Sequence, residues 1–257
     1  MFPISDDNPR AHVPVATIVI IALNVLVWAL VQGLGDPRAL AESLCHYALV
    51  PGELFGYVEP GTRIAVSESL ACQFDGEPNH LSLFSSMFMH GSWFHLIGNM
   101  WFLWVFGDNV EDEMGPVRFS LFYLACGLAA AFAQIVTNPA STVPMVGASG
   151  AIGGVMGAYA LLFPRVRVNL LIILGFYVTT VAVPAIFMLG YWFVLQLLQG
   201  LPALGSEGGG VAFWAHVGGF VAGLGLVWVF RHPGRGAPPG PQARRPRSRS
   251  HHDGRWF

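Results

Sequence analysis

The sequence predicts an all-α membrane protein, a bundle of six transmembrane helices, on three observations. Of the 257 residues only 11% are charged and 54% are hydrophobic, against roughly a quarter charged in an ordinary soluble domain. Asp, Glu, Lys and Arg are all missing between Arg118 and Arg165, between Arg167 and Glu207, and between Glu207 and Arg231. Soluble cores do not produce such gaps. The net charge of -2 hides a segregation along the chain: acids crowd residues 36–113, arginines crowd the tail, and lysine is absent.

Residues 1–14 hold two acids and one arginine ahead of an apolar segment of span length. This reads as a cytoplasmic N-terminal segment before a retained signal anchor. The first span is expected over 15–34, with Pro14 where a helix start tolerates proline, and its Asn24 should bond a neighbouring helix. Residues 35–80 form a long outer loop with seven carboxylates against Arg38 and Arg63. A second apolar stretch covers 81–106, followed by a polar link over 108–118 and a third span over 119–136. An uncharged loop, 137–148, leads to a short fourth span, 149–163, after which Arg165 and Arg167 mark an inner face.

Residues 168–201 are apolar throughout. As one helix they would reach about 50 Å at about 1.5 Å per residue, too long for a single crossing of a core about 30 Å thick. Parity fixes the number of crossings, because Arg165 and the seven arginines after residue 230 all belong inside. One span at 184–201 with the preceding part interfacial, then a sixth at 211–230, meets this condition and puts both termini inside. The membrane domain is therefore 15–230. The tail, 231–257, is rich in Pro, Gly, Arg and Ser; it should be disordered and rest on anionic lipid headgroups, with no nucleic acid as partner. Arginine without lysine, with abundant Ala and Gly, points to a bacterial plasma membrane.

The three cysteines form no CxxC or Cys/His cluster, so no metal site and no cofactor is expected. Cys45 and Cys72 share the outer loop and could pair if it faces an oxidising compartment, while Cys126 sits inside a span.

Ser149 and His216 are the candidates for chemistry. Ser149 stands 16 residues above Arg165, about 24 Å, and His216 stands 15 above Arg231, so both fall at nearly the same depth below the outer face. Gly150, Gly154 and Ala158, with Gly153 and Gly157, form small-residue ridges on the fourth span, and Ala215, Gly219 and Gly223 form one on the sixth. Such ridges let two helix backbones approach closely in lipid. Serine in a membrane helix is ordinarily a packing residue, whereas an imidazole in a span is functional by default. Matched depth on glycine-lined helices favours the reactive reading, with His216 taking the Ser149 proton for attack on a peptide carbonyl. His95 and Asn99, one turn apart, and the Ser149 amide at a helix N-terminus would supply donors to the oxyanion. No carboxylate falls within an expected span, so a Ser-His dyad is implied and not a triad.

Gly147-Ala148-Ser149-Gly150, Ala215-His216-Val217-Gly218-Gly219, and His95 with Asn99 preceded by His90 together resemble the rhomboid intramembrane serine proteases, over about residues 81–230. The resemblance implies a rhomboid-like six-helix core and a catalytic Ser149/His216 dyad. It also implies an oxyanion and substrate-binding group of His95 and Asn99 with Gly147 and Gly150 of the serine motif, and single-span membrane proteins as substrates. Two departures stand out. Many members carry an aromatic residue one turn after the serine, packed on the histidine; that position is Gly153, so Phe213 or Trp214 would have to orient His216. The outer loop also contains no tryptophan.

Zinc and aspartyl membrane proteases lack their residues in this chain, and a transporter would need a charged group in a span. The remaining rival is a catalytically silent rhomboid-like protein that binds client transmembrane helices. Intact Ser149 and His216 oppose it and Gly153 favours it. For substrate entry, the fifth span and the loop 201–210, with Gly205, Gly208, Gly209 and Gly210, are expected to be the looser elements.

Overall fold

The computed structural model describes residues 2–65, 71–202, 204, 211–232 and 234. Strand β1 (Phe2–Asp6) and helix α1 (Val15–Leu30) open the chain. α1 stops short of residue 34 because a 3-10 turn, Gly33–Gly35, takes over, with Leu34 in the left-handed region at φ 56°. Within α1, Asn24 donates to the Ile20 carbonyl of its own helix at 2.8 Å and also lies beside the Tyr123 hydroxyl.

The outer segment is partly ordered. It holds α2 (Pro37–Tyr47), capped by the Asp36 carboxylate accepting from the Arg38 and Ala39 N–H groups, then the single turn α3 (Pro51–Leu54) and a hairpin of β2 (Arg63–Ala65) with β3 (Ala71–Gln73). Cys45 and Cys72 form a disulfide within a small apolar cluster containing Val50, Val58 and Phe74.

The stretch expected as one span over 81–106 divides. Helix α4 (Ser82–Ser85) and a 3-10 turn, Ser86–Phe88, give way to an extended Met89. Then α5 (Trp93–Met114) starts at Ser92, whose hydroxyl oxygen caps it by accepting the His95 N–H at 3.2 Å. At its far end α5 runs straight through the segment expected to be a polar link, ending at Gly115 with φ 78°. The acids there can stay helical because each has a partner. Glu111 accepts the Ala16 and Thr17 N–H groups and the Thr17 hydroxyl at 2.8–2.9 Å, which caps α1 in place of the missing side chain at Pro14. Glu113 meets Arg231 at 2.8 Å, and Asp108 faces Arg10 at 3.8 Å. Helices α6 (Pro116–Thr137) and α7 (Ser149–Leu162) follow close to the expected bounds.

The all-α expectation fails at residues 167–184. There β4 (Arg167–Leu174) and β5 (Tyr177–Pro184) pair as an antiparallel hairpin, and β1 adds to the free edge of β4. The run from Val178 to Val183 is dominated by Val and Thr, which favour extended backbone, and Gly175 at φ 60° supplies the turn. This hairpin absorbs the apolar length that exceeded one crossing. Helices α8 (Ala185–Gly200) and α9 (Phe213–Phe230) complete the fold. Gly205, Gly208, Gly209 and Gly210, and the tail from residue 235 on, lie outside the described residues.

α7 is the central element: eleven of its 14 residues are buried. α9 crosses it so closely that a Cβ on Gly219 would stand 1.9 Å from the Gly150 carbonyl oxygen, and one on Gly223 2.0 Å from that of Gly154. The predicted ridges are thus the seam of the molecule. Among the described residues, α6 and α9 are long and apolar enough to cross a membrane, while α1, α7 and α8 are apolar and shorter.

Candidate active site

Ser149 is the first residue of α7 and His216 lies in the first turn of α9. The glycine seam brings the two N-terminal ends together, and Ser149 Oγ lies 2.8 Å from His216 Nε2. Both face a cavity of about 700 Å³ that is also lined by His95, Asn99, Gln134, Trp192 and residues of the loop before α7.

The imidazole of His216 is held from the side opposite to Ser149. Its Nδ1 lies 2.8 Å from Gln196 Oε1 of α8. A carbonyl oxygen can only accept, so this contact places the ring proton on Nδ1 and leaves the Nε2 lone pair facing the hydroxyl. The Trp192 ring, one turn before Gln196, flanks the imidazole with centroids 5.8 Å apart and planes at 39°. Orientation therefore comes from α8 and not from Phe213 or Trp214; Trp214 instead donates its indole N–H to the Gly200 carbonyl at 3.0 Å. Gly153 presents no side chain because the His216 carbonyl oxygen would lie 3.0 Å from its Cβ.

His95 sits across the cavity. Its Nδ1 accepts the Gly91 N–H at 3.3 Å, which assigns the ring hydrogen to Nε2 in the neutral form. Asn99, one turn on, is buried, and its Nδ2 has no partner although a buried amide ordinarily finds one. Both are donors available to a bound group. Behind them the buried His90 ring meets His95 edge-on at 5.1 Å. The Gln32 amide grips the His90 backbone at both ends, donating to its carbonyl at 2.7 Å and accepting its N–H at 2.8 Å.

Of the residues grouped by sequence, the cavity gathers His95, Asn99, Ser149 and His216, but not Gly147 or Gly150. Gly147 has φ +127°, and a Cβ there would stand 2.8 Å from the His95 ring and 3.4 Å from Ser149 Oγ. Its N–H is already donated to the Ser86 carbonyl at 2.9 Å, so its contribution is space and not a hydrogen bond. Gly150 similarly lets Ala130 approach, 2.6 Å from where its Cβ would be. At the start of α7 the first ladder bond runs from the Ile152 N–H to the Ala148 carbonyl at 3.0 Å, which leaves the Ser149 and Gly150 N–H groups outside the helical ladder.

Three contributors escaped the sequence reading, Gln196, Trp192 and Gln134. Gln134 Oε1 accepts the Ala215 N–H at 3.3 Å, tethering the first turn of α9 beside His216. The available signal was an amide in an otherwise apolar span, which in lipid must find a partner. For Gln196 the spacing of four from Trp192 also put both on one helix face.

Residues 78–233, more than half of the chain, match the Rhomboid domain. The chain is similar to "Rhomboid protein 1, mitochondrial" of Saccharomyces cerevisiae, 27% identical over 162 residues, or 61% of this chain and 43% of that protein. It is similar to "Rhomboid-like protein 11, chloroplastic" of Arabidopsis thaliana, 31% identical over 153 residues, covering 56% and 50%. It also resembles "Presenilin-associated rhomboid-like protein, mitochondrial" of Homo sapiens, 34% identical over 88 residues, covering 34% and 23%. The chain thus spans half or less of the length of these relatives. With the matched segment enclosing His95, Asn99, Ser149 and His216 alike, this chain belongs to the rhomboid family, a family of membrane proteins.

Proposed function

We propose that this chain is an intramembrane serine endopeptidase that hydrolyses peptide bonds in or near transmembrane segments of membrane proteins. The observation that carries the reading is the 2.8 Å contact between Ser149 Oγ and His216 Nε2 at the wall of a cavity, within the distance proton transfer needs. Ser149 Oγ attacks the scissile carbonyl carbon while its proton passes to His216 Nε2. The negative charge that develops on the carbonyl oxygen is met by the His95 Nε2–H, the Asn99 amide and the Ser149 N–H. His216 then returns the proton to the leaving amine, and water, activated by the same imidazole, releases the acyl group.

The proposed topology takes α1, α5, α6, α7, α8 and α9 as the six spans, with both termini inside. Its support is that β1 pairs with β4 beside Arg167, which keeps the N-terminal segment on the face of the inner arginines. The β4–β5 hairpin, with Phe176 fully exposed at its tip, fits the interfacial role expected for residues 168–183. The Cys45–Cys72 disulfide fits an outer loop in an oxidising compartment. The composition, arginine without lysine and abundant Ala and Gly, supports a bacterial plasma membrane as the location.

The purified protein in detergent should cleave a single-span model substrate, and Ser149→Ala and His216→Ala should each abolish cleavage. Undiminished cleavage by Ser149→Ala would remove the nucleophile assignment, and binding without cleavage by the unaltered chain would favour a client-binding role.

A further inference from the structure

A base that must take a proton from Ser149 works only in the tautomer whose Nε2 is bare. Nothing on α7 or α9 selects that tautomer. Ser149, as a hydroxyl, can donate or accept and is satisfied by either form. Selection has to come from the other nitrogen, and the group found there is Gln196 Oε1 at 2.8 Å. With the proton on Nε2, the Nδ1 lone pair would face the lone pairs of that oxygen, which is repulsive. Gln196 is one of only four buried residues of α8, with Ala185, Leu189 and Gly200, and its amide stands with Oε1 towards the ring, the orientation that selects this tautomer; turned end for end it would donate to Nδ1 and select the other. The ring plane is flanked by the Trp192 indole, with centroids 5.8 Å apart.

We propose that Gln196 and Trp192 are positioning residues for His216: the amide sets the tautomer and the indole sets the plane, so that α8 completes the dyad built on α7 and α9. This rests on the protease reading for its effect on rate, though not for its effect on the ring. An amide in this place does the orienting work that a carboxylate does in a Ser-His-Asp triad, without the cost of keeping a permanent charge among apolar helices. It also explains how a chain with no carboxylate against His216 among the described residues, and no aromatic residue at position 153, can hold its base.

The test reads the ring directly. In protein labelled with 15N-histidine, with His216 assigned by comparison with His216→Ala, the neutral ring should show a protonated Nδ1 and a bare Nε2. Gln196→Met, which keeps the side-chain length and removes the acceptor, should populate the other tautomer and lower kcat about tenfold with KM unchanged, the size expected for one lost orienting hydrogen bond. Gln196→Glu, which restores an acceptor oxygen, should bring kcat back to within about threefold of the unaltered protein. Trp192→Phe should retain most activity and Trp192→Leu should not. A proton on Nε2 in the unaltered protein would overturn the proposal whatever the variants do, and so would Gln196→Met cleaving at the full rate. If the unaltered chain does not cleave at all, the protease reading falls, while the spectrum, which needs no substrate, still decides the role of Gln196.

Discussion

Asn99 is a residue whose local cost makes sense only through a bound state. A buried amide nitrogen without an acceptor costs about 1–3 kcal/mol in a folded protein, and Asn99 lines the same cavity as Ser149. Asn99→Ala should therefore lower kcat about 100-fold, the effect of losing one oxyanion donor, with no loss of thermal stability. Parallel measurement of cleavage and thermal unfolding in detergent checks both halves. A variant that unfolds early and cleaves normally would make Asn99 a packing residue. Gly147 works in the opposite sense, since what matters there is an absent side chain. Its positive φ and the His95 ring at 2.8 Å from a would-be Cβ leave room for hydrogen alone.

At the scale of elements, the seam between α7 and α9 does two things at once. It supplies dispersion contact where no hydrophobic drive separates helix from lipid, and it sets the Ser149–His216 distance. The predicted ridge residues meet in register: Gly219 lies over the Gly150 carbonyl and Gly223 over that of Gly154. Gly223→Ala puts a methyl group where a backbone oxygen stands, about two turns from His216, and overpacking of this kind costs about 1–3 kcal/mol. The helices should part, so the variant should both melt lower and lose cleavage together, in contrast to Asn99→Ala. Full activity in Gly223→Ala would mean that the dyad distance is set elsewhere. Of the six helices proposed as spans, α8 has the smallest buried share, four of its 16 residues, and it is also the one that carries Gln196 and Trp192. α8 therefore both borders the cavity and contacts the His216 ring.

On the scale of the whole molecule, the C-terminal end of α5 fastens the N-terminal segment and the end of α9. Glu111 holds the start of α1, Asp112 accepts the Ala11 and His12 N–H groups, and Glu113 pairs with Arg231. Asp6 of β1 reaches further in, accepting hydrogen bonds from the Tyr159 hydroxyl at the base of α7 and from Asn109 of α5. Burial raises the Asp6 carboxyl above its ordinary value of 3.8, against the pull of these donors. A raised carboxyl binds its proton more tightly when folded, so its contribution to stability is complete below that ordinary value and is lost as pH rises through the raised one. Asp6→Asn, fixed in a neutral form, lacks this dependence. The difference in melting temperature between the unaltered protein and Asp6→Asn should shift in favour of the unaltered protein as the pH is lowered from 7 towards 4. A difference that stays constant across that range would show that folding does not raise the Asp6 carboxyl.

Much of this was written in residue order. Charge-free gaps and small-residue spacing determined the helices that carry Ser149 and His216 and their shared seam, because helical rise and side-chain size are local properties. Burial of the acidic end of α5, the β1–β4–β5 sheet and the hold of Gln196 on His216 were decided only in three dimensions. Asp108, Glu111 and Glu113 look like a solvated link until Arg10, the start of α1 and Arg231 come round to meet them. Residues 167–184 look like helix or surface until β1, more than 160 positions earlier, offers an edge to pair with. An amide in an apolar span announces that it needs a partner, but which partner depends on how two helices sit side by side, and no local pattern encodes that.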